Sequence, residues 1–197
     1  PLGMESRGTL YLNPTEDNTE ATIKAAKDRA TELGLDYVVV ASSSGSSGVK
    51  VAEAFKDTGV KVVVVTLFAT SSSKPNPEHL AKIKELGGEV VTSSHALMGV
   101  PESLAKIKQG YVTPNTMIRE VLRRFSQGTN VVADIVMMAC DNGVIPQGVE
   151  VVAIAGMGNN ADTAWILRAC GSFNFFDKIN GMEFRELVAL PRTKKFW

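Results

Sequence analysis

The sequence predicts an α/β fold, three-layer α/β/α, on a mostly parallel sheet, and three observations carry the prediction. Residues 37–41 and 61–67 are continuous β-branched runs, the mark of strands buried on both faces. Segments with helical apolar spacing separate successive runs, which is the βαβ alternation of a parallel sheet. In the last third, residues 150–155, 163–168 and 185–190 read as strands. No helix of useful length fits between the first two of these, so one antiparallel strand is expected near the C-terminus.

The remaining elements follow in chain order. A short extended piece at 9–12 precedes Asp17 and Asn18, which offer a helix cap; Glu20 falls in the first turn, and Ile23, Ala26, Ala30 and Leu33 share one apolar face. Gly34 ends that helix. Beyond the first buried strand, a polar loop at 42–47 leads into a helix with Val51, Ala52 and Phe55 inside and Gly59 at its end. Past the second strand, residues 68–76 form a Ser/Thr-rich loop, and Pro77 opens a helix that buries Leu80, Ile83 and Leu86. Gly87 and Gly88 stop it before a strand at 89–92. Further helices are expected at 101–108 and 114–125, each with Pro near its start. Residues 130–140 fit more than one state; Val131, Ile135 and Met138 share a helical face and Asp141-Asn142-Gly143 is a stop, so the segment is read as helix.

The chain has 197 residues, 44% hydrophobic and 7% aromatic, which suits one domain with a real core and excludes disorder. Neither linker nor internal repeat divides it, so residues 4–197 are expected to form a single domain. Pro1-Leu2-Gly3 before Met4 reads as an expression-tag remnant. The 21 Lys plus Arg balance the 21 Asp plus Glu, and a neutral chain lacks the basic excess by which nucleic-acid binders hold phosphates. No apolar run approaches the roughly 18 to 20 residues of a membrane span, and no leader is visible, so the expectation is a cytoplasmic protein with neither nucleic acid nor membrane as partner. Cys140 and Cys170 lack CxxC spacing and lie in apolar surroundings, as buried reduced thiols would. With two histidines and two scattered cysteines, no metal site is expected.

The most informative segment is the loop Ser42, Ser43, Ser44, Gly45, Ser46 and Ser47, between a buried strand and the start of a helix. In a parallel sheet that junction lies at the carboxyl edge, where α/β proteins bind ligands. Glycine admits close backbone approach, first-turn amides point outward, and the helix dipole favours negative charge. Serine hydroxyls add donors without bulk. The combination suits a phosphate dianion without lysine or arginine. The competing reading is a flexible loop whose serines cap the next helix, although a cap needs one such residue and here there are five. A Walker P-loop is excluded, because Lys50 is displaced from its spacing.

Residues 37–66, with this loop at their centre, resemble the C-terminal domain of pyruvate kinase, and the whole chain resembles the stand-alone proteins of that type. The segments that carry the likeness are Asp17-Asn18-Thr19-Glu20, residues 39–45, residues 62–66, Ser94 with His95, Leu97 and Gly99, residues 138–146, residues 161–164 and residues 174–177. Together they span most of residues 9–192. The resemblance implies a pyruvate-kinase-C-terminal-like fold, a phosphate loop at 42–47 and, as for the stand-alone family, FMN as ligand. In the kinase the corresponding loop holds the phosphate of an allosteric sugar bisphosphate. The catalytic barrel of the kinase has no counterpart here, so transfer from phosphoenolpyruvate is not implied. An FMN has one terminal phosphate for a helix amino end and a flat ring for an apolar, polar-edged slot. Thr66, ending the second strand, and the Ser94-His95 turn, after the third, are expected to flank the same crevice.

The segment from Gly156 through Gly158 to Ala161 matches the GxGxxA dinucleotide fingerprint, but a strand follows it where a Rossmann unit needs a helix. The reading preferred here is a ligand-facing loop with Asp162 and Thr163 as polar contacts; a plain connection is the alternative. The resemblance implies a basic residue in that loop, where this chain has Asn159 and Asn160. His95 reads as a flavin-edge contact, an acid or base, or a packed structural residue. His79 reads as inert. Ser44, His95 and Asp141 make a triad on paper, but without a GxSxG elbow hydrolase chemistry is not expected. Residues 174–177 pack in the core, lid the pocket or anchor a second subunit. The end Arg192, Lys194, Lys195, Phe196 and Trp197 reads as a solvated tail whose aromatic pair leaves a homo-oligomer open. Two functional classes follow: an FMN-dependent oxidoreductase or flavoprotein, and a non-catalytic sensor module for a phosphorylated metabolite such as a sugar phosphate.

Overall fold

The computed structural model describes residues 8–158 and 160–194. The tag remnant at 1–3, Asn159, and Lys195, Phe196 and Trp197 lie outside the described residues. The elements are β1 (Leu10–Leu12), α1 (Thr19–Leu33), β2 (Tyr37–Ala41), α2 (Ser46–Phe55), β3 (Lys61–Thr66), α3 (Pro77–Glu85), β4 (Glu89–Thr92), α4 (Val100–Ile107), α5 (Pro114–Arg123), α6 (Gln127–Asp141), β5 (Glu150–Met157), β6 (Asn160–Arg168) and β7 (Glu183–Pro191). A 3-10 turn, Ser172–Asn174, sits between β6 and β7.

The seven strands form one sheet in the order β1-β7-β6-β5-β2-β3-β4. β6 pairs antiparallel with both β5 and β7, and every other pairing is parallel. From β2 the chain steps outward to β3 and β4, then crosses back so that β5 lies on the other side of β2. The strand order therefore reverses between β2 and β5. At such a switch point adjacent crossovers leave in opposite directions and open a crevice at the carboxyl ends of the strands.

Alternate residues of the Val runs fill two cores. Val38, Val40, Val62 and Val64 pack with Ile23, Ala26 and Ala30 of α1, Val51, Ala52 and Phe55 of α2, and Ile83 of α3. Val39, Val63 and Val65 point the other way, against Val132, Ile135, Val136 and Met138 of α6. Period-two alternation on a strand buried on both faces demands this split. Helix α5 packs on α6 and α4 on α5; neither has a fully buried residue.

Local signals explain most boundaries. Gly34, at φ +62°, closes α1, and Leu35 N–H returns to Ala30 O at 2.9 Å. Asn76, Thr113 and Ser126 cap α3, α5 and α6 through their side-chain oxygens. At α1 the expectation changes: Asn18 occupies the cap position without capping, its amide donating to Asn13 O and Glu16 O, while Asp17 Oδ1 accepts the Thr19 N–H at 3.0 Å. The ambiguous segment is a helix, and it begins at Gln127 because Ser126 supplies the cap. The last strands run longer than expected, since β5 and β6 continue into a hairpin whose register shifts at Ala155/Gly156.

Arg29 on α1, 7% exposed, forms a two-pronged contact with Glu186 on β7, Nε to Oε1 and Nη2 to Oε2 both at 2.8 Å. Arg29→Ala is expected to cost about 3 kcal/mol, because it leaves a partly buried carboxylate without its bidentate partner. Urea unfolding measures it, and an unchanged midpoint would refute it. At the C-terminal end Arg192 is exposed yet tethered: its backbone N–H donates to Leu12 O at 2.9 Å and its guanidinium lies 5.3 Å from the Tyr11 ring centre. The core role expected within residues 174–177 is not taken by Phe176, which is 76% exposed and meets Phe175 edge-on.

Candidate functional site

The crevice at the β2/β5 switch point is a cleft of about 200 Å³, lined by Ser42, Ser43, Ser44 and Ser47 on one side and by Gly156, Gly158, Asn160 and Ala161 on the other. Val65, Thr66 and Leu67 at the end of β3, His95, and Val131 and Ile135 of α6 complete the wall. Most of the predicted site is thus brought to one place: four of the five serines, Thr66, His95, Gly156 and Gly158, but not Gly45. Among the described residues no acidic side chain lines this cleft.

The serine loop is held in shape from both ends. Ser42 N–H donates to Val65 O at 2.9 Å, and Ser42 Oγ accepts the Gly48 N–H at 3.0 Å, so this hydroxyl serves as a cap. Gly45 then turns the chain into α2 with φ +91°, a value that strains any residue with a Cβ. A Cβ there would also stand 2.6 Å from His79 Cβ. Ser44 O accepts the Asn76 N–H at 2.9 Å and lies 3.0 Å from His79 Nδ1. His79, read as inert, buttresses the loop from α3. Ser46 lies behind, its hydroxyl 3.0 Å from Ser44 Oγ.

These contacts leave donors on the ligand side. Among the described residues, the N–H groups of Ser43, Ser44, Gly45 and Ser47 have no protein acceptor, and Ser43, Ser44 and Ser47 line the cleft. The N-terminus of α2 adds its dipole. The α1 N-terminus reaches the same edge, where Thr19 Oγ1 accepts the Ala161 N–H at 3.2 Å and Asn160 Oδ1 the Asn18 N–H at 2.9 Å. That of α6 touches the β5–β6 hairpin, since a Cβ on Gly128 would stand 2.4 Å from Thr163 and 3.2 Å from Ala155 O. Uncharged donors and positive dipole ends are chemistry that suits an anion.

Asp162 and Thr163 do not reach it. Thr163 is fully buried; its hydroxyl donates to Asp162 Oδ1 at 2.8 Å and accepts from Ser126 at 2.9 Å. Asp162 lines a separate small cavity with Pro14, Gln127 and Met157, and burial pushes its carboxyl above the usual range. The hairpin accounts for the difference: Ala155 pairs with Thr163 and Gly156 with Ala161, so the register skips Asp162, while Asn160 and Ala161 line the cleft. Thr66 lines the cleft, but its hydroxyl is engaged by Thr92 Oγ1 at 2.8 Å.

His95 Nδ1 lies 2.7 Å from Asp134 Oδ2 on α6, whose Oδ1 accepts the Leu97 N–H at 2.9 Å. Asp134 is 2% exposed. The triad drawn on paper does not form, since Asp141 instead accepts the Ser172 N–H at 3.0 Å. Asp134 escaped the sequence reading, yet an acid one turn from Asn130 in the otherwise apolar run at 131–139 is a signal that such a residue has a partner. A second cleft of about 350 Å³, lined by Phe68, Thr70, Ser94, Met98 and Lys106 among others, shares His95 with the first.

Both cysteines are free, and neither lines the cleft. Burial pushes the Cys140 thiol up to about 12 and the Cys170 thiol to about 11. Among the described residues no group of three or more His, Cys, Asp or Glu could hold a metal ion, and no helix is long and apolar enough to cross a membrane.

The sequence pattern of the pyruvate kinase alpha/beta domain matches residues 20–167. The chain belongs to the pyruvate kinase alpha/beta domain family. The seven-stranded mixed sheet with helices on both faces is the architecture of that domain. Among solved structures, a pyruvate kinase from Cryptosporidium parvum is similar to this chain, with 12% identity and a TM-score of 0.39. The match covers 77% of this chain and 23% of that one, so the chain spans under a quarter of the kinase's length.

Proposed function

We propose that this domain binds FMN or a related phosphate monoester, with the phosphate on the serine loop. The observation that supports it is the donor set at the switch-point cleft: four amides unengaged among the described residues, with three cleft-lining serines, at the start of α2. The residues also suit the rest of the ligand. Val65, Leu67, Val131 and Ile135 offer an apolar wall for a flat ring, and His95 and Asn160 offer polar edges. The first cleft alone is smaller than the roughly 300–1,000 Å³ of ordinary ligand pockets. The second cleft, which shares His95 and has Glu102 and Lys106 on its wall, offers about 350 Å³ beside it. Bound flavin would supply redox chemistry; the protein's part is to hold the phosphate, seat the ring and exclude water. Free thiols suit the cytoplasmic setting that we propose with it.

A second reading, a sensor of a phosphorylated metabolite such as a sugar phosphate, is favoured by the same loop, whose donors address only the phosphate. Titration separates the two. FMN fluorescence is expected to be quenched on binding, with riboflavin, which lacks the phosphate, at least tenfold weaker, roughly the worth of charge-assisted hydrogen bonds. Equal affinity for both would refute the phosphate assignment. A protein that ignores FMN and binds a sugar phosphate would be the sensor. If FMN binds, anaerobic NADH or NADPH decides the class: bleaching marks a flavin-dependent oxidoreductase, and a flavin that stays oxidised marks a binding module.

A further inference from the structure

We infer that His95 is the hydrogen-bond acceptor of the cleft, that Asp134 is the residue that makes it one, and that the pair selects ligands presenting an N–H or O–H group to Nε2. The inference rests on the phosphate reading only for where the ligand sits. Its own basis is the geometry of the pair.

Asp134 is buried, and both of its oxygens are engaged: Oδ1 accepts the Leu97 N–H at 2.9 Å, and Oδ2 lies 2.7 Å from His95 Nδ1. An ionised carboxylate has acceptors only, so the neutral imidazole must carry its proton on Nδ1. The second ring nitrogen, Nε2, then holds a bare lone pair. Among the described residues Nε2 has no hydrogen-bond partner, and it is not a buried orphan, so it opens to the clefts that His95 lines. Phe68 meets the ring edge-on, 6.2 Å between centres at 76°, and limits its rotation. The acceptor therefore stands at the junction of the two clefts.

Replacing Asp134 with Asn tests this with little change of shape. An amide has one acceptor and one donor end. The Leu97 N–H is a fixed backbone donor and claims Asn Oδ1, which turns Nδ2–H toward His95 Nδ1. The imidazole must then protonate on Nε2, and the nitrogen facing the cleft becomes a donor. The same logic makes an Asp-to-Asn change beside a catalytic histidine a tautomer change.

The chain has two histidines, so long-range proton–nitrogen spectra of the full chain, recorded alkaline of the ordinary histidine range, contain two ring systems, and a His79→Gln sample assigns them. The wild-type spectrum, which needs no stable variant, is expected to show His95 protonated on Nδ1. Asp134→Asn is expected to move the proton to Nε2 and to weaken FMN by about tenfold or more, leaving competition by inorganic phosphate unchanged. A wild-type His95 protonated on Nε2 overturns the inference. So does an Asp134→Asn protein that keeps the wild-type tautomer, or one that binds FMN with wild-type affinity. Wild-type protein that binds neither FMN nor inorganic phosphate overturns the phosphate reading instead, and with it the ligand half of this inference.

Discussion

Replacing Gly156 with alanine is expected to destabilise the domain by about 3 kcal/mol or more and to distort the cleft in whatever fraction still folds. The reason is steric. A Cβ at this position would stand 1.9 Å from Asn160 O and 2.9 Å from Ala161 Cα. Both are backbone atoms of β6, so no side chain can swing aside. The hairpin would have to shift by more than 1 Å, roughly the gap between that distance and an ordinary van der Waals contact, and overpacking of this kind costs about 1–3 kcal/mol even where side chains can adjust. The shift cannot stay local, because the displaced residues are held at the far side: Asn160 Oδ1 accepts the Asn18 N–H, Asn160 Nδ2 donates to Glu16 O, and Ala161 N–H donates to Thr19 Oγ1. Moving the hairpin thus pulls on the N-terminus of α1 and on the wall facing the serine loop. For a chain of this size the loss corresponds to a fall of roughly 10 °C in Tm. Thermal unfolding followed by circular dichroism measures it. Gly158→Ala is the comparison: φ is +63° there, but nothing lies within 4 Å of the added Cβ, so a smaller loss is expected. Equal losses would show that backbone conformation, not contact, governs both.

Gly156 also marks the limit of what the sequence disclosed. Its glycine-rich surroundings read as a loop with ligand contacts, and the cleft wall is indeed built there, yet the requirement for glycine is a strand crossing at close range. Periodicity cannot express that, because the contact joins residues across a hairpin whose register shifts at this point. The same holds for Asp162 and Thr163: a one-residue change in register decides which face a side chain takes. The strands at 37–41 and 61–66 were legible because a double-faced β-branched run has few alternatives, and β6 was legible as antiparallel because no crossover helix fits before it. What the runs could not tell is that β5 inserts beside β2 and thereby creates the switch point. Asp134 and His79 belong to the same class of omission. Each meets its partner, His95 and the Ser44 carbonyl, across more than 30 residues of chain, and nothing local to either residue names that partner.

Ser44→Asp is expected to lower affinity for a phosphate-bearing ligand at least 100-fold while leaving stability unchanged or slightly raised. The two halves have separate causes, which is what makes the substitution diagnostic. Ser44 lines the cleft just ahead of α2, and its Oγ lies 3.4 Å from the Ser46 N–H that points at it. A carboxylate there can accept that N–H more strongly, and a negative charge beside a helix N-terminus gains about 0.3–1 kcal/mol. Folding has no reason to suffer. Binding does. Two unit charges about 4 Å apart repel by about 4 kcal/mol at the effective dielectric of a protein surface, and a phosphate dianion carries nearly two. Screening and side-chain rotation reduce the figure, but 2.7 kcal/mol is enough for 100-fold. The carboxylate would also occupy donors that the phosphate needs. Ser44→Ala separates the contributions, since it removes one hydroxyl without adding charge and is expected to cost only about 1 kcal/mol, or fivefold. Paired measurements of Tm and FMN affinity decide. If Ser44→Asp binds FMN as the wild type does, the serines serve only to cap α2, and the ligand's charge must lie elsewhere. If it loses binding and stability together, the loop is structural first. Only a stable protein that has lost the phosphate ligand fits an anion site made of amides, hydroxyls and a helix dipole in a chain of zero net charge.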